Sequence, residues 1–323
     1  MATQYSLLLC FLNILVFSVL EITGRNKIPG IIVFGDSTVD AGNNNQIPTL
    51  AKDMLGIKHS IPAYLDPDFG IEDFATGVTF ASAGTGYDVA TSKVLDVIPL
   101  AKELEYFKEY LKKLTSLFGK DSAAETARES LYFISIGTND FIENYFTVPG
   151  RSFQFTVAEY ENFLLGIARN FLIELYSLGA RKIGLLGLPP CGYLPIAKTE
   201  NHVSGRPNLE ELNEASKEFN VKLQNLVASL SKELEGIKLV YADIYNSLLH
   251  IIQNPNLYGF ENVEEGCCAT GTFELGVLCK AGNAISCTDP SKYVFWDSVH
   301  PSEKVYGILA NILMDTLMSH LVN

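Results

Sequence analysis

Short apolar runs rich in β-branched residues alternate along this chain with longer stretches of helical periodicity. Each short run ends at glycine or turn residues, which predicts a buried strand. The predicted strands are residues 30–34, 78–81, 131–136, 182–186 and 238–241. Apolar residues recur on one helical face over residues 208–234, and residues 160–178 and 101–117 show the same period. Strands that alternate with helices predict an α/β fold in which helices cover both faces of a central parallel sheet.

The N-terminus opens on an apolar run over residues 6–20, interrupted only by Asn13 and Ser18. The run is too short for a comfortable membrane span and stands where the hydrophobic region of a secretory signal peptide stands. An ordinary buried N-terminal helix is the alternative. We predict a signal peptide over residues 1–24 and a secreted protein without a stable membrane anchor. No repeat, low-complexity tract or linker divides the rest of the 323-residue chain, so residues 25–323 are predicted to form one domain.

Cysteine usage fits an oxidising compartment. Cys267, Cys268, Cys279 and Cys287 lie close together in a segment rich in glycine and turn residues, which predicts two disulfides of open connectivity. A zinc site is the alternative, but no histidine is interleaved and no Cys-x-x-Cys pair occurs. Cys191 stands apart from this group and is predicted to be a free thiol.

The charge distribution argues against some classes of binding partner. The formal net charge is -13, and lysine and arginine are scattered without a basic run. This balance argues against nucleic acid or an anionic membrane surface as a partner. The phosphate-binding Gly-x-x-x-x-Gly-Lys motif, the dinucleotide fingerprint and the His-Glu-x-x-His motif are all absent, which disfavours nucleotide binding and zinc-dependent proteolysis.

Three of the predicted strands end in residues that can carry chemistry. The first runs into Gly-Asp-Ser at residues 35–37, the second into Ala-Gly-Thr at residues 83–85, and the third into Gly-Thr-Asn-Asp at residues 137–140. Parallel strands place their carboxyl ends on the same edge of the sheet. Ser37, Gly84 and Asn139 are therefore predicted to converge although they lie far apart in the sequence.

A serine nucleophile needs a general base, a group that orients the base, and donors for the oxyanion. His300 suits the base because histidine titrates near neutrality. Asp297 precedes it by three residues, so both side chains project to the same side of a turn or helix, where the carboxylate can fix the imidazole tautomer. The main-chain N–H groups of Ser37 and Gly84 and the side-chain amide of Asn139 are the candidate donors.

Each of these residues also has a structural explanation. A serine after a strand commonly makes a turn or caps a helix, and an asparagine does the same. Gly84 can simply satisfy a turn, and His300 can begin a last helix over residues 303–321. The Gly-x-Ser-x-Gly nucleophile elbow is absent, which argues against the α/β-hydrolase fold. The ordered conjunction on one sheet edge favours the catalytic interpretation.

These motifs resemble those of the GDSL esterases and lipases, in the plant secreted branch of the SGNH hydrolase superfamily. The resemblance rests on four blocks, at residues 34–45, 80–87, 137–140 and 295–301. It implies a flavodoxin-like three-layer αβα fold and hydrolysis of carboxylic esters without a metal or another cofactor. It also implies that Ser37 is the nucleophile, that Ser37, Gly84 and Asn139 form the oxyanion hole, and that Asp297 and His300 complete the triad.

The chain departs from this family pattern after the first block. Relatives usually carry a further segment with a Gly-Arg-Phe-Ser-Asn-Gly-like motif, whereas residues 47–50 here pass directly to residues 51–56. A segment is therefore predicted to be missing between about residues 50 and 51.

Three functional hypotheses follow from the resemblance and from this departure. The first is a secreted serine esterase or lipase that forms an acyl-enzyme with a small-molecule, lipid or polysaccharide ester. An acyltransferase with the same triad is the second, and an inactive truncated variant that at most binds a ligand is the third. The acyl group, the alcohol and the oligomeric state have no signature in the sequence.

Overall fold

The structure is a computed structural model that describes residues 28–44, 61–148, 150–205, 207–275 and 286–321. Several predictions from the sequence fall outside these ranges. They are the signal peptide over residues 1–24, the missing segment between about residues 50 and 51, and the contribution of Cys279 to a disulfide.

The centre of the molecule is a sheet of five parallel strands in the order β2-β1-β3-β4-β5. Their bounds are β1 Ile31–Gly35, β2 Gly77–Thr79, β3 Leu131–Ser135, β4 Lys182–Leu186 and β5 Lys238–Ala242. The predicted parallel α/β sheet is thereby confirmed. The edge strand β2 ends two residues earlier than predicted. The Phe80 N–H still donates to the Val33 carbonyl, but the Gly35 N–H donates to the Glu103 carboxyl group instead of to this strand. The Asn43 amide donates to the carbonyls of Thr79 and Ala81.

Helices flank this sheet and follow the predicted periodicity. They are α1 Ile71–Phe74, α2 Val89–Val94, α3 Leu100–Phe118, α4 Lys120–Glu129, α5 Val157–Ser177, α6 Pro195–Ser204, α7 Leu209–Glu233, α8 Ile244–Gln253 and α9 Glu303–Leu321. A π-helix over Asp140–Thr147 follows β3. The long helix α7 begins where the side chain of Asn208 accepts hydrogen bonds from two main-chain N–H groups of the first turn, as an N-cap does. The three predicted helical stretches correspond to α7, α5 and α3.

Aromatic rings fill the core behind β1. Phe34 stacks on Phe80 with 5.3 Å between ring centroids, and Phe107 and Phe171 meet it edge-on at 5.6 and 5.4 Å. Such pairs each add about 0.5–1.5 kcal/mol beyond their buried area. Helices α3 and α5 are therefore anchored directly behind the strand that leads to Ser37.

A second, two-stranded sheet carries the C-terminal motif. It pairs β6, Asn262–Gly266, with β7, Tyr293–Phe295. The Cys267–Cys287 disulfide lies next to it, and the Cys267 N–H donates to the Phe295 carbonyl at 3.1 Å. One predicted disulfide is thereby confirmed. Cys268 is also disulfide-bonded, and Cys191 is free and buried, as predicted.

Among the residues that the structure describes, no helix combines the length and the apolar character that a membrane span requires. Over the same ranges, no group of three or more histidine, cysteine, aspartate or glutamate side chains is arranged to hold a metal ion.

Candidate active site

Ser37, His300 and Asp297 form a continuous hydrogen-bonded chain at the carboxyl edge of the sheet. His300 Nε2 lies 2.7 Å from Ser37 Oγ, and its Nδ1 lies 2.8 Å from Asp297 Oδ2. Asp297 is fully buried, whereas His300 is 8% exposed. With Nδ1 donating to the carboxylate, Nε2 is left as the acceptor for the serine proton. The arrangement can therefore generate a serine nucleophile.

The loop that carries Asp297 is fixed by the Asp297 carboxylate and by Gly266, the residue before Cys267 of the disulfide. Asp297 Oδ1 accepts the main-chain N–H groups of Val299 and His300 at 2.9 and 2.7 Å. On the other side Gly266 packs so closely that a Cβ there would lie 2.6 Å from the Asp297 carbonyl oxygen. The carboxylate and the imidazole are thus held in one geometry before any substrate binds.

The turn after β1 places Ser37 at the strand end. Gly35 has φ +137°, a conformation that side chains rarely adopt, and a Cβ there would overlap the Ser135 carbonyl. The next N–H, from Asp36, donates to that carbonyl at 3.0 Å. Asp36 Oδ1 accepts the Thr38 N–H at 3.0 Å and closes an Asx turn around the serine.

Residues of the same turn region hold the segment that carries Gly84. Asp40 Oδ2 accepts the Ala83 N–H at 2.9 Å, and the Asn44 amide donates to the Ala83 carbonyl at 2.6 Å. Gly84 itself has φ +84°. The Asp40 carboxylate therefore links the Ser37 turn to the predicted oxyanion segment.

Asn139 and Asp140 follow β3 and close the third side of the site. Asn139 Nδ2 donates to the Thr85 carbonyl at 2.9 Å, beside Gly84, and an amide carries a second hydrogen for another acceptor. Asp140 accepts the Tyr87 N–H at 2.7 Å. The structure thus brings Ser37, Gly84 and Asn139 to one edge of the sheet, each after its own strand.

The profile of the GDSL-like Lipase/Acylhydrolase family matches residues 31–313. The chain belongs to the GDSL esterase/lipase family. It is similar to GDSL esterase/lipase At2g04570 of Arabidopsis thaliana, at 50% identity over 93% of this chain and 94% of that protein. GDSL esterase/lipase At4g26790 of the same plant is 48% identical over 88% of this chain and 90% of its own. The protein is thus a carboxylic ester hydrolase of this family, as the motifs predicted.

The electrostatics of this GDSL site raise the pKa of His300. Burial alone lowers it, but the charge and hydrogen bond of Asp297, together with the charges of Asp36 and Glu143, outweigh that effect and raise the pKa of the imidazole. Burial raises the pKa of Asp36 to about 6 and that of Glu143 to about 7. Both carboxyl groups are therefore charged once the pH exceeds about 7.

On the hypothesis that His300 is the general base, we expect kcat/KM to rise with pH through an inflection above about 6.5, the ordinary histidine value, because only a neutral imidazole can accept a proton from Ser37. Asp36→Asn keeps an oxygen for the Thr38 N–H but removes one charge that raises the His300 pKa, so the inflection moves to lower pH. Asp66→Asn is the matched control, since Asp66 Oδ1 accepts the Asp68 N–H at 3.0 Å in an equivalent, exposed turn. An inflection that does not move in Asp36→Asn contradicts this reasoning.

We expect Asn139→Ala to lower kcat by about 100- to 1,000-fold, the usual cost of one oxyanion donor. The folded protein loses only the hydrogen bond to the Thr85 carbonyl, about 1 kcal/mol. Asn220→Ala is the control: the Asn220 amide also donates to a main-chain carbonyl, that of Leu188, and its oxygen accepts the Leu188 N–H, so this variant loses one hydrogen bond more. Kinetics with thermal melting separate the two effects. Equal kcat losses in both variants would assign Asn139 a purely structural role.

Several carboxylates contact these segments in ways that the sequence analysis did not predict. Asp40 and Asp140 each bond to main-chain N–H groups of the Gly84 segment, and Glu103 bonds to the strand end before Ser37. Glu143 has a buried oxygen, Oε2, with no hydrogen-bond partner among the described residues. The partners of these carboxyl groups lie far from them in the sequence, so the contacts become visible only in the folded structure.

Proposed function

We propose that this GDSL esterase/lipase is a secreted serine esterase that hydrolyses carboxylic esters through an acyl-enzyme intermediate. The observation that carries the proposal is the chain of hydrogen bonds from Ser37 Oγ through His300 to Asp297, at 2.7 and 2.8 Å. Such a chain combines a nucleophile, its base and a group that fixes the base tautomer.

In the first half-reaction Ser37 Oγ attacks the ester carbonyl while His300 Nε2 takes its proton. The Ser37 and Gly84 N–H groups and the Asn139 amide hold the tetrahedral oxyanion. His300 then donates the proton to the departing alcohol, which leaves the acyl group on Ser37. In the second half-reaction a water molecule attacks the acyl carbon while His300 takes its proton. His300 then returns that proton to Ser37 Oγ as the acid leaves.

A small cavity beside His300 offers space for part of the substrate. It has a volume of about 50 Å³, and Thr38, Thr138, Val299 and His300 contribute to its wall. Buried apolar side chains, among them that of Leu248, form much of the remaining wall. This lining supports an ester with an apolar group at the reacting end, whether the substrate is a small molecule, a lipid or an acylated polysaccharide.

Secretion is supported by the Cys267–Cys287 disulfide, because disulfides persist in oxidising compartments. The apolar run over residues 6–20 has the position of a signal peptide. Expression of the whole chain in plant cells tests this part of the proposal. Secreted protein whose N-terminus begins near residue 25 supports it, and retention of the uncleaved chain inside the cell contradicts it.

The catalytic proposal is tested by labelling the purified protein with a fluorophosphonate while measuring hydrolysis of p-nitrophenyl esters. One phosphonyl group on Ser37, located by peptide mass analysis, together with ester turnover supports a serine esterase. Product analysis with an added alcohol shows whether the acyl group passes to water or to that acceptor, as in an acyltransferase. A protein that melts cooperatively but neither labels nor turns over is an inactive variant.

A further inference from the structure

Glu103 is a buried carboxyl group that the proposed hydrolysis does not use. It belongs to α3, which lies on one side of the sheet, and it is fully buried. Its Oε2 accepts the main-chain N–H of Gly35 at 2.9 Å. Gly35 is the last residue of β1 and stands two positions before Ser37.

The Gly35 N–H lies where the segment that leads to Ser37 diverges from the segment that leads to Gly84. The Gly35 carbonyl accepts the Ser82 N–H at 2.8 Å, and Ser82 stands two positions before Gly84. In a regular parallel ladder the Gly35 N–H would donate to a carbonyl of that same neighbouring segment. The Glu103 carboxyl replaces this main-chain acceptor. It therefore lies at the point where the Ser37 segment and the Gly84 segment diverge.

The carboxyl group is held in place from behind. Phe107, one turn further along α3, packs edge-on against Phe34 at 5.6 Å, and Leu104 is buried in the same core. The second oxygen, Oε1, has no hydrogen-bond partner among the described residues. Within the described part of the chain, Glu103 thus makes one hydrogen bond, to the last residue of the strand that leads to Ser37.

This contact does not require a charge. Burial raises the pKa of Glu103 well above its ordinary value, and the nearby carboxyl groups of Asp40 and Asp36 add to the rise, against the hydrogen bond from Gly35. Burial thus favours the uncharged form of the side chain, and the charged and uncharged forms both offer an oxygen that can accept the Gly35 N–H.

We propose that Glu103 is a positioning residue for ester hydrolysis: by accepting the Gly35 N–H it sets the distance between Ser37 Oγ and the Gly84 oxyanion donor. The inference rests on the proposed function. A displacement of about 1 Å in such a site costs about 100-fold in rate. Loss of the acceptor alone therefore acts on the chemical step rather than on substrate binding.

The test compares three substitutions at Glu103 with the wild type. Glu103→Gln keeps a carbonyl acceptor of the same shape and is expected to keep kcat within about twofold. Glu103→Met keeps the length but has no comparable acceptor, and it is expected to lower kcat and the rate of fluorophosphonate labelling about 10- to 100-fold, with KM little changed. Glu103→Asp draws the carboxyl back from Gly35 and is expected to resemble Glu103→Met, which keeps the test decisive if the apolar variant does not fold.

Glu161 provides a matched control. It is as buried as Glu103, has one oxygen bonded to Lys222 and the other without a hydrogen-bond partner in the described part of the chain, and lies on α5. Glu161→Met is expected to lower the melting temperature but not kcat. All rates are measured well below each melting temperature, so that loss of folded protein does not enter.

The outcomes separate this role from the proposed function. Loss of kcat in Glu103→Met and Glu103→Asp, recovered in Glu103→Gln, supports the positioning role. The positioning role is overturned if kcat is unchanged in Glu103→Met and Glu103→Asp, or if Glu103→Gln loses as much kcat as they do. In either case, fluorophosphonate labelling of the wild type still supports the serine esterase. Wild-type protein that neither labels nor hydrolyses esters overturns the proposed function and this role with it.

Discussion

Ser37→Ala is expected to reduce kcat for ester hydrolysis by about 10⁴-fold or more while the protein remains folded. Removal of a serine nucleophile leaves only the modest catalysis of oxyanion donors and binding. Ser37 is only partly buried and its hydroxyl bonds to His300 Nε2, so its removal leaves no cavity in the core. The expected change in stability is about 1 kcal/mol, small enough for activity and folding to be read separately.

The matched control for this prediction is Ser298→Ala. Ser298 stands two residues before His300, is fully buried, and its hydroxyl has no hydrogen-bond partner within the described ranges. The control variant should retain ester turnover and fluorophosphonate labelling, whereas Ser37→Ala should lose both. If Ser37→Ala still labels, the reactive serine lies elsewhere and the proposed function fails.

The strands and the main helices were predictable because their sequence periods are strong. Apolar runs that end in glycine mark β1 and β3, and the amphipathic pattern of residues 208–234 marks α7 together with its Asn208 cap. The placement of Ser37, Gly84 and Asn139 on one edge was also predictable, since parallel strands share the edge at which they end. Local patterns and sheet topology therefore accounted for the outline of the site.

The supporting carboxylates were not predictable for a physical reason. Glu103 falls on the apolar face of α3, three residues after Leu100 and four before Phe107, but this position does not identify the group that its carboxyl contacts. The N–H group that this carboxyl accepts belongs to Gly35, 68 residues away along the chain. Similarly, Asp40 meets Ala83 across 43 residues. Contacts of this kind are set by tertiary packing, for which a single sequence carries no periodic signal.

Asp297→Asn is expected to lower kcat by about 10⁴-fold with little change in folding. The asparagine keeps an oxygen for the N–H groups of Val299 and His300, which Asp297 Oδ1 accepts at 2.9 and 2.7 Å. Its amide hydrogens face His300 Nδ1 and favour the tautomer whose Nε2 carries the proton. That tautomer cannot accept the proton of Ser37, and the imidazolium loses its stabilising carboxylate.

Asp297→Asn separates two roles of the Asp297 carboxylate, which are to hold its loop together and to fix the tautomer of His300. If the carboxylate acted only by tying its loop together, Asp297→Asn would keep full activity and Asp297→Ala would lose stability and activity together. If the carboxylate also fixes the tautomer of His300, both variants lose kcat, and only Asp297→Ala also has a lower melting temperature. Asp289→Asn controls for the substitution itself, since Asp289 accepts the Ser291 N–H at 3.0 Å in a similar turn. Rates of fluorophosphonate labelling should follow kcat, because phosphonylation needs the same proton transfer from Ser37 to His300.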